Sequence, residues 1–212
     1  MRGNGLLWIV RPEAYSNDAL PLSKHEADLL RFFQFRKEGV FLDIGAHVGS
    51  YTLRAARSGM IVHAWEPNSD TRRILKTNLR LNGLSAFVHP VALGDDHGFS
   101  NLSNMRGLSR IGPQGERVQM KRLDDYDIST ASLVKIDVEG HEEKVLIGGL
   151  RTIERLKPRL IIETHDFTEY SHGLLSSADR CRVILSAIGY DIRGIRIRGQ
   201  VYLVARAKES RR

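Results

Sequence analysis

From residue 40 onward the chain repeats one pattern, in which a short apolar strand is followed by a tight turn and a helix. The pattern predicts strands at residues 40–44, 61–65, 86–92, 133–138 and 160–164, and helices at residues 49–57, 70–81, 141–156 and 177–188. Alternating strands and helices indicate a mostly parallel sheet that is covered by helices on both faces. Because crossovers between parallel strands are right-handed, few topologies remain.

Two segments depart from this pattern. Residues 94–126 are rich in Gly, Ser, Asn and Asp and contain alternating stretches, which predicts an inserted β-hairpin. The last two strands, residues 191–197 and 200–205, are separated by only two residues, and such a connection joins antiparallel strands. We therefore expect the class I methyltransferase (Rossmann-like) fold. It is an α/β, doubly wound, mostly parallel seven-stranded sheet that ends in an antiparallel hairpin.

The first strand leads into a glycine-rich turn, Asp43-Ile-Gly-Ala-His-Val-Gly49, and ligands of open α/β sheets bind at such strand ends. Gly45 allows the backbone to approach a ligand, and Gly49 allows the helix to begin close to the sheet. The phosphate-binding spacings Gly-x-x-x-x-Gly-Lys and Gly-x-Gly-x-x-Gly are absent. The wider spacing suits the methionine and ribose parts of S-adenosylmethionine, whose ammonium group Asp43 would anchor directly or through water.

Glu66 follows the second strand, roughly 20 residues after the turn, where a carboxylate can accept hydrogen bonds from both ribose hydroxyls. After the third strand, the backbone around Ala92 could meet the adenine edge. We therefore predict S-adenosylmethionine as the cofactor. Its predicted contacts are Asp43, Gly45, Ala46, His47, Gly49, Glu66, Pro67, Asn68, Ala92, Leu93 and Asp137.

Charged side chains occupy the fourth strand, although a buried strand should be almost continuously apolar. In Lys135-Ile-Asp-Val-Glu139 the charged residues alternate with apolar ones and so point to one side. The candidate catalytic residues at this strand end and the next are Asp137, Glu139, His141, Lys135, Glu163 and His165. Asp137 is the first choice for the base because it lies nearest the sulfonium. It could equally orient the acceptor or hold a metal with Glu139 and His165, so the presence of a metal stays open.

These motifs resemble the FkbM family of methyltransferases. The resemblance is carried by residues 43–52, by Trp65-Glu-Pro67 and above all by Lys135-Ile-Asp-Val-Glu-Gly-His-Glu142 with the later Gly148-Gly149. It covers most of the chain and implies O-methylation of a hydroxyl, often on sugars or in antibiotic and glycan tailoring. His47 departs from the family, whose members usually have asparagine there. We therefore expect an O-methyltransferase that acts on a small-molecule or sugar acceptor.

Two other functions stay open. A ribose 2′-O-methyltransferase acting on nucleic acid would suit the net charge of +7 and the combination of Lys135, Asp137 and Glu163. A binding module could keep the fold without catalysis, although the joint presence of the site carboxylates argues against it. An NAD-dependent dehydrogenase fits less well because of the glycine spacing and the terminal hairpin.

The chain has 212 residues, which fits one domain. We expect residues 1–38 to form an arm, with a helix at residues 24–37, that covers the acceptor site. Residues 39–212 are expected to form the methyltransferase domain.

Composition sets the remaining expectations. The net charge of +7 is mostly dispersed, so solvated surface is its simplest interpretation. The single cysteine, Cys181, excludes an internal disulfide and is expected to be buried in a helix. Neither a membrane span of ~18 apolar residues nor a signal-peptide pattern is visible, so a cytoplasmic protein is expected.

Overall fold

The structure is a computed structural model, and it describes residues 2–3, 5–9, 11, 24–105, 108–166 and 175–208. Residues 12–23 of the predicted N-terminal arm lie outside the described residues, and the role of the arm over the acceptor site stays a prediction. In the part of the chain that is described, no helix is long and apolar enough to cross a membrane.

Strands and short helices alternate along the described chain. The strands are β1 (Arg2–Gly3), β2 (Leu6–Leu7), β3 (Val40–Ile44), β4 (Ile61–Trp65), β5 (Phe87–His89), β6 (Ala92–Leu93), β7 (Gly98–Met105), β8 (Leu108–Gly112), β9 (Glu116–Lys121), β10 (Leu133–Ile136), β11 (Arg159–Thr164), β12 (Tyr190–Ile197) and β13 (Gln200–Ala207). The helices are α1 (Lys24–Leu30), α2 (Ser50–Arg57), α3 (Ser69–Leu81), α4 (Glu142–Gly148), α5 (Leu150–Leu156) and α6 (Ser177–Ala187), and a short 3-10 helix spans Leu123–Asp125.

The central sheet has seven strands in the order β12-β13-β11-β10-β3-β4-β5. The strands from β11 to β5 run parallel, whereas β13 is antiparallel to both β11 and β12. The direction in which successive strands are added reverses between β3 and β10. The fold predicted from the sequence is confirmed, including its seven strands and its C-terminal hairpin.

Both faces of this sheet are covered by apolar side chains. Leu42 and Ile44 of β3 pack in a core with α4, α5 and α6, which includes the buried Cys181. Phe41 points to the other face and packs with residues of α1 and α2 such as Leu29 and Tyr51. The two faces are therefore filled by alternate residues of the same strand, as a doubly wound sheet requires.

The inserted segment is larger than the predicted hairpin, because β6, β7, β8 and β9 form a second sheet in the order β6-β9-β7-β8. Glu116 opens β9, and its carboxylate accepts hydrogen bonds from Asn68 Nδ2 and the Ser69 amide, each at 3.2 Å. This contact ties the second sheet to the first turn of α3.

The strand predicted at residues 86–92 is wrong as a single element. The structure has β5 in the central sheet and β6 in the second sheet, with Pro90 between them. Proline has no N–H to donate, so the hydrogen-bond ladder of β5 cannot continue through it.

Two predicted helices are also wrong in extent. The helix predicted at residues 24–37 ends at Leu30, and Phe33 instead stacks on Tyr51 with ring centroids 4.3 Å apart. The helix predicted at residues 141–156 is divided into α4 and α5 at Gly149. A Cβ atom at Gly149 would lie 2.9 Å from the Leu123 side chain, so the division allows the chain to pass close to this residue.

Candidate active site

Four strand ends meet where the order of the central sheet reverses. Gly45 follows β3, Glu66 follows β4, Asp137 follows β10 and His165 follows β11. Parallel strands place these residues at one edge of the sheet, which is where open α/β sheets bind ligands. The structure thus brings the predicted cofactor turn and most of the predicted catalytic residues to one place.

The glycine turn after β3 packs directly against the end of β10. Gly45 has a φ of 80°, and a Cβ atom there would overlap the carbonyl oxygen of Asp137. Gly49 has a φ of 98°, and its Cβ would lie 2.5 Å from the side chains of Leu53 and Leu75. Both positions therefore need glycine for backbone conformation and for space.

Glu66 is held by backbone amides of the connections around it. Its Oε2 accepts the His47 N–H and its Oε1 accepts the Asn68 N–H, both at 2.9 Å. A carboxylate oxygen can accept more than one hydrogen bond, so both oxygens can still accept from ribose hydroxyls. The side chain is 5% exposed, and this burial raises the pKa of Glu66 to about 7. The geometry fits the predicted ribose contact.

His47 adopts the left-handed backbone conformation, with a φ of 51°. Asparagine and histidine are among the few non-glycine residues enriched in this conformation. The contact that His47 makes with Glu66 uses the backbone N–H, which any residue except proline would supply. Histidine therefore meets the same backbone requirement as the asparagine usual in FkbM proteins.

Lys135 lies between two carboxylates from neighbouring strands. Its Nζ donates to the Gly45 carbonyl at 2.8 Å and lies 3.2 Å from Asp137 Oδ2 and 3.5 Å from Asp43 Oδ1. Asp43 is fully buried, and its Oδ2 accepts the Thr52 hydroxyl at 2.6 Å. Asp43 Oδ1 makes no well-aligned hydrogen bond within the described residues, and its nearest cation is the Lys135 ammonium group at 3.5 Å. The predicted contact of Asp43 with the ammonium group of S-adenosylmethionine stays a prediction.

The strand that carries Lys135 ends at Ile136, two residues earlier than predicted. The Asp137 N–H still bonds the Ile44 carbonyl at 3.1 Å, but Glu139 and Gly140 have φ values of 54° and 97°. The chain therefore turns away from the sheet. Asp137 and Glu139 reach the site from this connection rather than from the face of a strand.

Four side chains with acidic or imidazole groups form what we call the acidic pocket: Asp137, Glu139, Glu163 and His165. His165 Nε2 lies 3.5 Å from both Glu139 Oε2 and Glu163 Oε1. Its Nδ1 lies 3.0 Å from Oε1 of the fully buried Glu142. None of the four side chains is more than 25% exposed, so their charges interact strongly.

These interactions shift the protonation of the pocket. Burial, followed by the charge of Asp137, raises the pKa of Glu139 to about 7. Burial also acts to raise the pKa of Asp137, but Lys135 and His165 hold it below its ordinary value. Burial acts to lower the pKa of His165, whereas hydrogen bonds with Glu142 and Glu163 raise it to about 11. His165 therefore carries a proton at neutral pH in this arrangement and is poorly suited to act as the base.

Three predicted site residues lie away from the strand ends where the others meet. His141 precedes α4, and its Nε2 points toward Gly94, where an added Cβ would lie 3.3 Å from it. Ala92 and Leu93 are buried in β6, which pairs with β9 of the second sheet. Their predicted adenine contact stays a prediction, and the structure does not bring His141 to the carboxylates.

Glu142 is a site residue that the sequence analysis did not single out. Its Oε1 also accepts the Gly140 N–H at 2.9 Å, and its Oε2 accepts the Ser177 hydroxyl at 3.1 Å. A glutamate in the first turn of a helix is ordinarily explained by the helix dipole. The signal that could have identified it is its place in the same motif, three residues after Glu139.

Metal ligands are also available in the pocket. Asp137, Glu163 and His165 each offer one ligand atom, and these atoms lie within 4.8 Å of one another. The set combines carboxylate oxygens with an imidazole nitrogen, which is a common composition for a transition-metal site.

Comparisons with known proteins agree with this geometry. The family model described as the methyltransferase FkbM domain matches residues 43–192. A curated relative, the hexuronic acid methyltransferase AglP of Haloferax volcanii, is 23% identical over 171 residues, which cover 75% of this chain and 66% of the relative. The crystal structure of methyltransferase FkbM from Methylobacillus flagellatus superposes with a TM-score of 0.61 and 18% identity, over 92% of this chain and 48% of that one. The crystal structure of TYW2 from M. jannaschii, solved in complex with AdoMet, superposes with a TM-score of 0.52 and 18% sequence identity. The match covers 96% of this chain and 82% of that one.

The chain spans 66% of the curated relative and about half, 48%, of the Methylobacillus protein. The likeness to the solved structures shows the class I methyltransferase fold. The family match shows more than the fold, because it covers well over half of the chain and includes the glycine turn, Glu66 and the acidic pocket. The protein therefore belongs to the FkbM family of S-adenosylmethionine-dependent methyltransferases.

Proposed function

We propose that the protein transfers a methyl group from S-adenosylmethionine to a hydroxyl oxygen of a sugar, a glycan or another small molecule. One observation carries this proposal. The acidic pocket lies at the strand ends next to Asp43 and Glu66, which fit the two ends of the cofactor. A hydroxyl needs alignment and removal of its proton for methyl transfer, and carboxylates can supply both.

The residues divide these tasks. The cofactor supplies an electrophilic methyl group on its sulfonium. Asp137, paired with Lys135 at 3.2 Å, accepts a hydrogen bond from the hydroxyl and aligns it. Glu139 accepts the hydroxyl proton as the new C–O bond forms and the S–C bond breaks. We prefer Glu139 to Asp137 for proton removal because the ion pair with Lys135 makes the aspartate a weaker base.

The curated relative supports an acceptor that contains a sugar. This relative is a hexuronic acid methyltransferase, and it shares 23% identity with this chain. A sugar acid presents several hydroxyls, and we therefore take hexoses and hexuronic acids, free and as glycosides, as the first acceptors to test.

The test is a screen of these acceptors with a methyl-labelled donor, followed by Glu139→Gln and Asp137→Asn. General-base catalysis typically contributes about 10²–10⁴-fold, so Glu139→Gln should lose turnover on this scale while calorimetry shows retained cofactor binding. Asp137→Asn, which loses alignment of the hydroxyl, should lose about 10²-fold in turnover at saturating S-adenosylmethionine. Glu154→Gln removes an exposed carboxylate and is the matched control. Methyl transfer to nitrogen or carbon, or full turnover in both pocket variants, would contradict the proposal.

A nucleic-acid acceptor is the second candidate, and one surface favours it. A groove of about 720 Å³ between α3 and the sheet edge is lined by basic residues of α3 and by Phe87, which is 61% exposed. The basic residues are Arg72, Arg73, Lys76 and Arg80. Exposed aromatic rings beside cations can stack bases along a phosphate backbone. Binding of a single-stranded oligonucleotide that falls steeply with salt would favour this candidate, whereas salt-insensitive affinity would count against it.

A further inference from the structure

The ends of β10 and β11 place a compact set of metal-ligand atoms in the acidic pocket. β10 and β11 are parallel neighbours, and Asp137 follows the last residue of β10 that pairs with β11, while Glu163 follows the last residue of β11 that pairs with β10. Their ligand oxygens lie within 4.8 Å of one another. His165 lies two residues after Glu163, directly after the end of β11. We infer that Asp137, Glu163 and His165 bind one divalent transition-metal cation.

Their spacing suits a single ion. The three ligand atoms lie within 4.8 Å of one another. Ligands bonded to a transition ion at about 2.1 Å are separated by about 3 Å when adjacent and by about 4.2 Å when opposite. Separations of 4.8 Å would have to shorten by about 0.6 Å for opposite ligands and by about 1.8 Å for adjacent ones. Side-chain rotation can supply this movement, because all three side chains are partly exposed.

Glu142 provides an independent reason, because it lies outside the ligand set and comes from α4. Histidines that bind metals usually donate their second ring N–H to a carboxylate, which fixes the ring orientation. Glu142 is fully buried, is held by the Gly140 N–H and the Ser177 hydroxyl, and faces His165 Nδ1 at 3.0 Å. The other nitrogen, Nε2, lies on the side of Glu163.

Charge gives a further reason. Five carboxylates lie close to Lys135 and His165 at this edge of the sheet. The two positive charges balance two of them, so the others are either protonated or repel one another. The carboxylates are Asp43, Asp137, Glu139, Glu142 and Glu163. Like charges in a poorly solvated site repel strongly, and a dication relieves this repulsion better than one proton.

The composition of the set selects the kind of ion. Mg²⁺ and Ca²⁺ prefer oxygen ligands alone, whereas Mn²⁺, Fe²⁺ and Zn²⁺ accept imidazole together with carboxylates. The ion and a proton compete for His165 Nε2, as they do at any histidine ligand. If the protein methylates a hydroxyl, as proposed above, that oxygen can join the ion as a further ligand and release its proton more readily to Glu139.

The site is tested with Mn²⁺ alone, added to the protein with and without S-adenosylmethionine and without any acceptor. Binding of Mn²⁺ is measured by the loss of the paramagnetic resonance signal of the free ion. Binding of Zn²⁺ to the same site is measured by its displacement of Mn²⁺. We expect one site, whose affinity falls at least about tenfold in Glu163→Gln and His165→Gln, and about 10–100-fold in Glu142→Gln. Glu143→Gln, the adjacent change outside the pocket, should bind as the native protein does.

The outcomes separate this inference from the proposed function. Absence of Mn²⁺ and Zn²⁺ binding to the native protein, or equal binding by the native protein, Glu163→Gln and His165→Gln, would overturn the metal site. Cofactor affinity in the same variants shows whether they remain folded. Intact metal binding without methyl transfer to any hydroxyl would overturn the proposed acceptor class and leave the metal site standing.

Discussion

Glu66 should set the pH dependence of cofactor binding. Its pKa is raised by burial to about 7, and both of its oxygens must be unprotonated to accept two ribose hydroxyls. Binding therefore favours the ionised form, so affinity is present above this pKa and is lost as the pH falls through it. A carboxyl group with a pKa of about 7 is roughly 90% ionised at pH 8 and roughly 10% ionised at pH 6, which predicts a Kd about tenfold weaker at pH 6.

Glu66→Gln removes the charge and should remove this pH dependence. Hydrogen bonds to a charged group contribute about 1.5–3 kcal/mol and neutral ones about 0.5–1.5 kcal/mol. Two weakened ribose contacts should therefore cost about 2–3 kcal/mol, or about 30–150-fold in Kd at pH 8. The amide nitrogen of glutamine must also face the His47 or the Asn68 N–H, which adds to the loss.

Calorimetric titration of S-adenosylmethionine at pH 6, 7 and 8 is the measurement. Titration of the ligand's own amino group is common to both proteins, so it cancels in the ratio of the native Kd to that of the variant. Glu154→Gln is the control, because it removes an exposed carboxylate of α5 that has no contact with the ribose position. The same pH dependence in Glu66→Gln as in the native protein would refute the ribose role.

Three further predictions concern the turn, the pocket and the core. Gly45→Val should abolish cofactor binding, because its side chain must displace the Asp137 carbonyl; unchanged calorimetric affinity would sink the assignment of this turn. Asp137→Asn should lose turnover by about 10²-fold or more at saturating S-adenosylmethionine, and normal turnover at neutral pH would remove Asp137 from the reaction. Leu146→Ala, at a fully buried position, should lower the free energy of unfolding by about 2–5 kcal/mol in denaturant titrations. Ile147→Ala, at a position 44% exposed, should change it by about 0.5 kcal/mol or less, and equal losses in the two variants would contradict the core assignment.

The position of the glycine turn and of Glu66 at neighbouring strand ends could be predicted from the sequence because its determinants are local, while their contacts with the cofactor stay predictions. The turn from Asp43 to Gly49 and the Glu66 that follows the next strand are fixed by short connections at strand ends. His47 was the part that the motif did not explain. Its φ of 51° supplies the explanation, but a backbone angle becomes visible only once the turn is built.

The rest of the pocket could not be predicted because it depends on contacts between distant segments. Glu142 reaches His165 and Ser177, which are 23 and 35 residues away along the chain. Its sequence position fits a solvated helix start equally well. The early end of β10 could not be predicted either. The alternation of charged and apolar residues predicts a strand through residue 138, and only the structure shows that Glu139 has a left-handed backbone conformation.

Glu116 has a consequence for how a chain of this kind can change over evolutionary time. Glu116 is the first residue of β9 and connects the second sheet to α3. The hairpin of β7 and β8 pairs with β9 and is therefore positioned by this contact. Loops and edge strands tolerate insertions and substitutions far better than the elements that hold them. Substitutions at the exposed positions of this hairpin should therefore disturb α3 and the neighbouring Glu66 less than a substitution at Glu116 does.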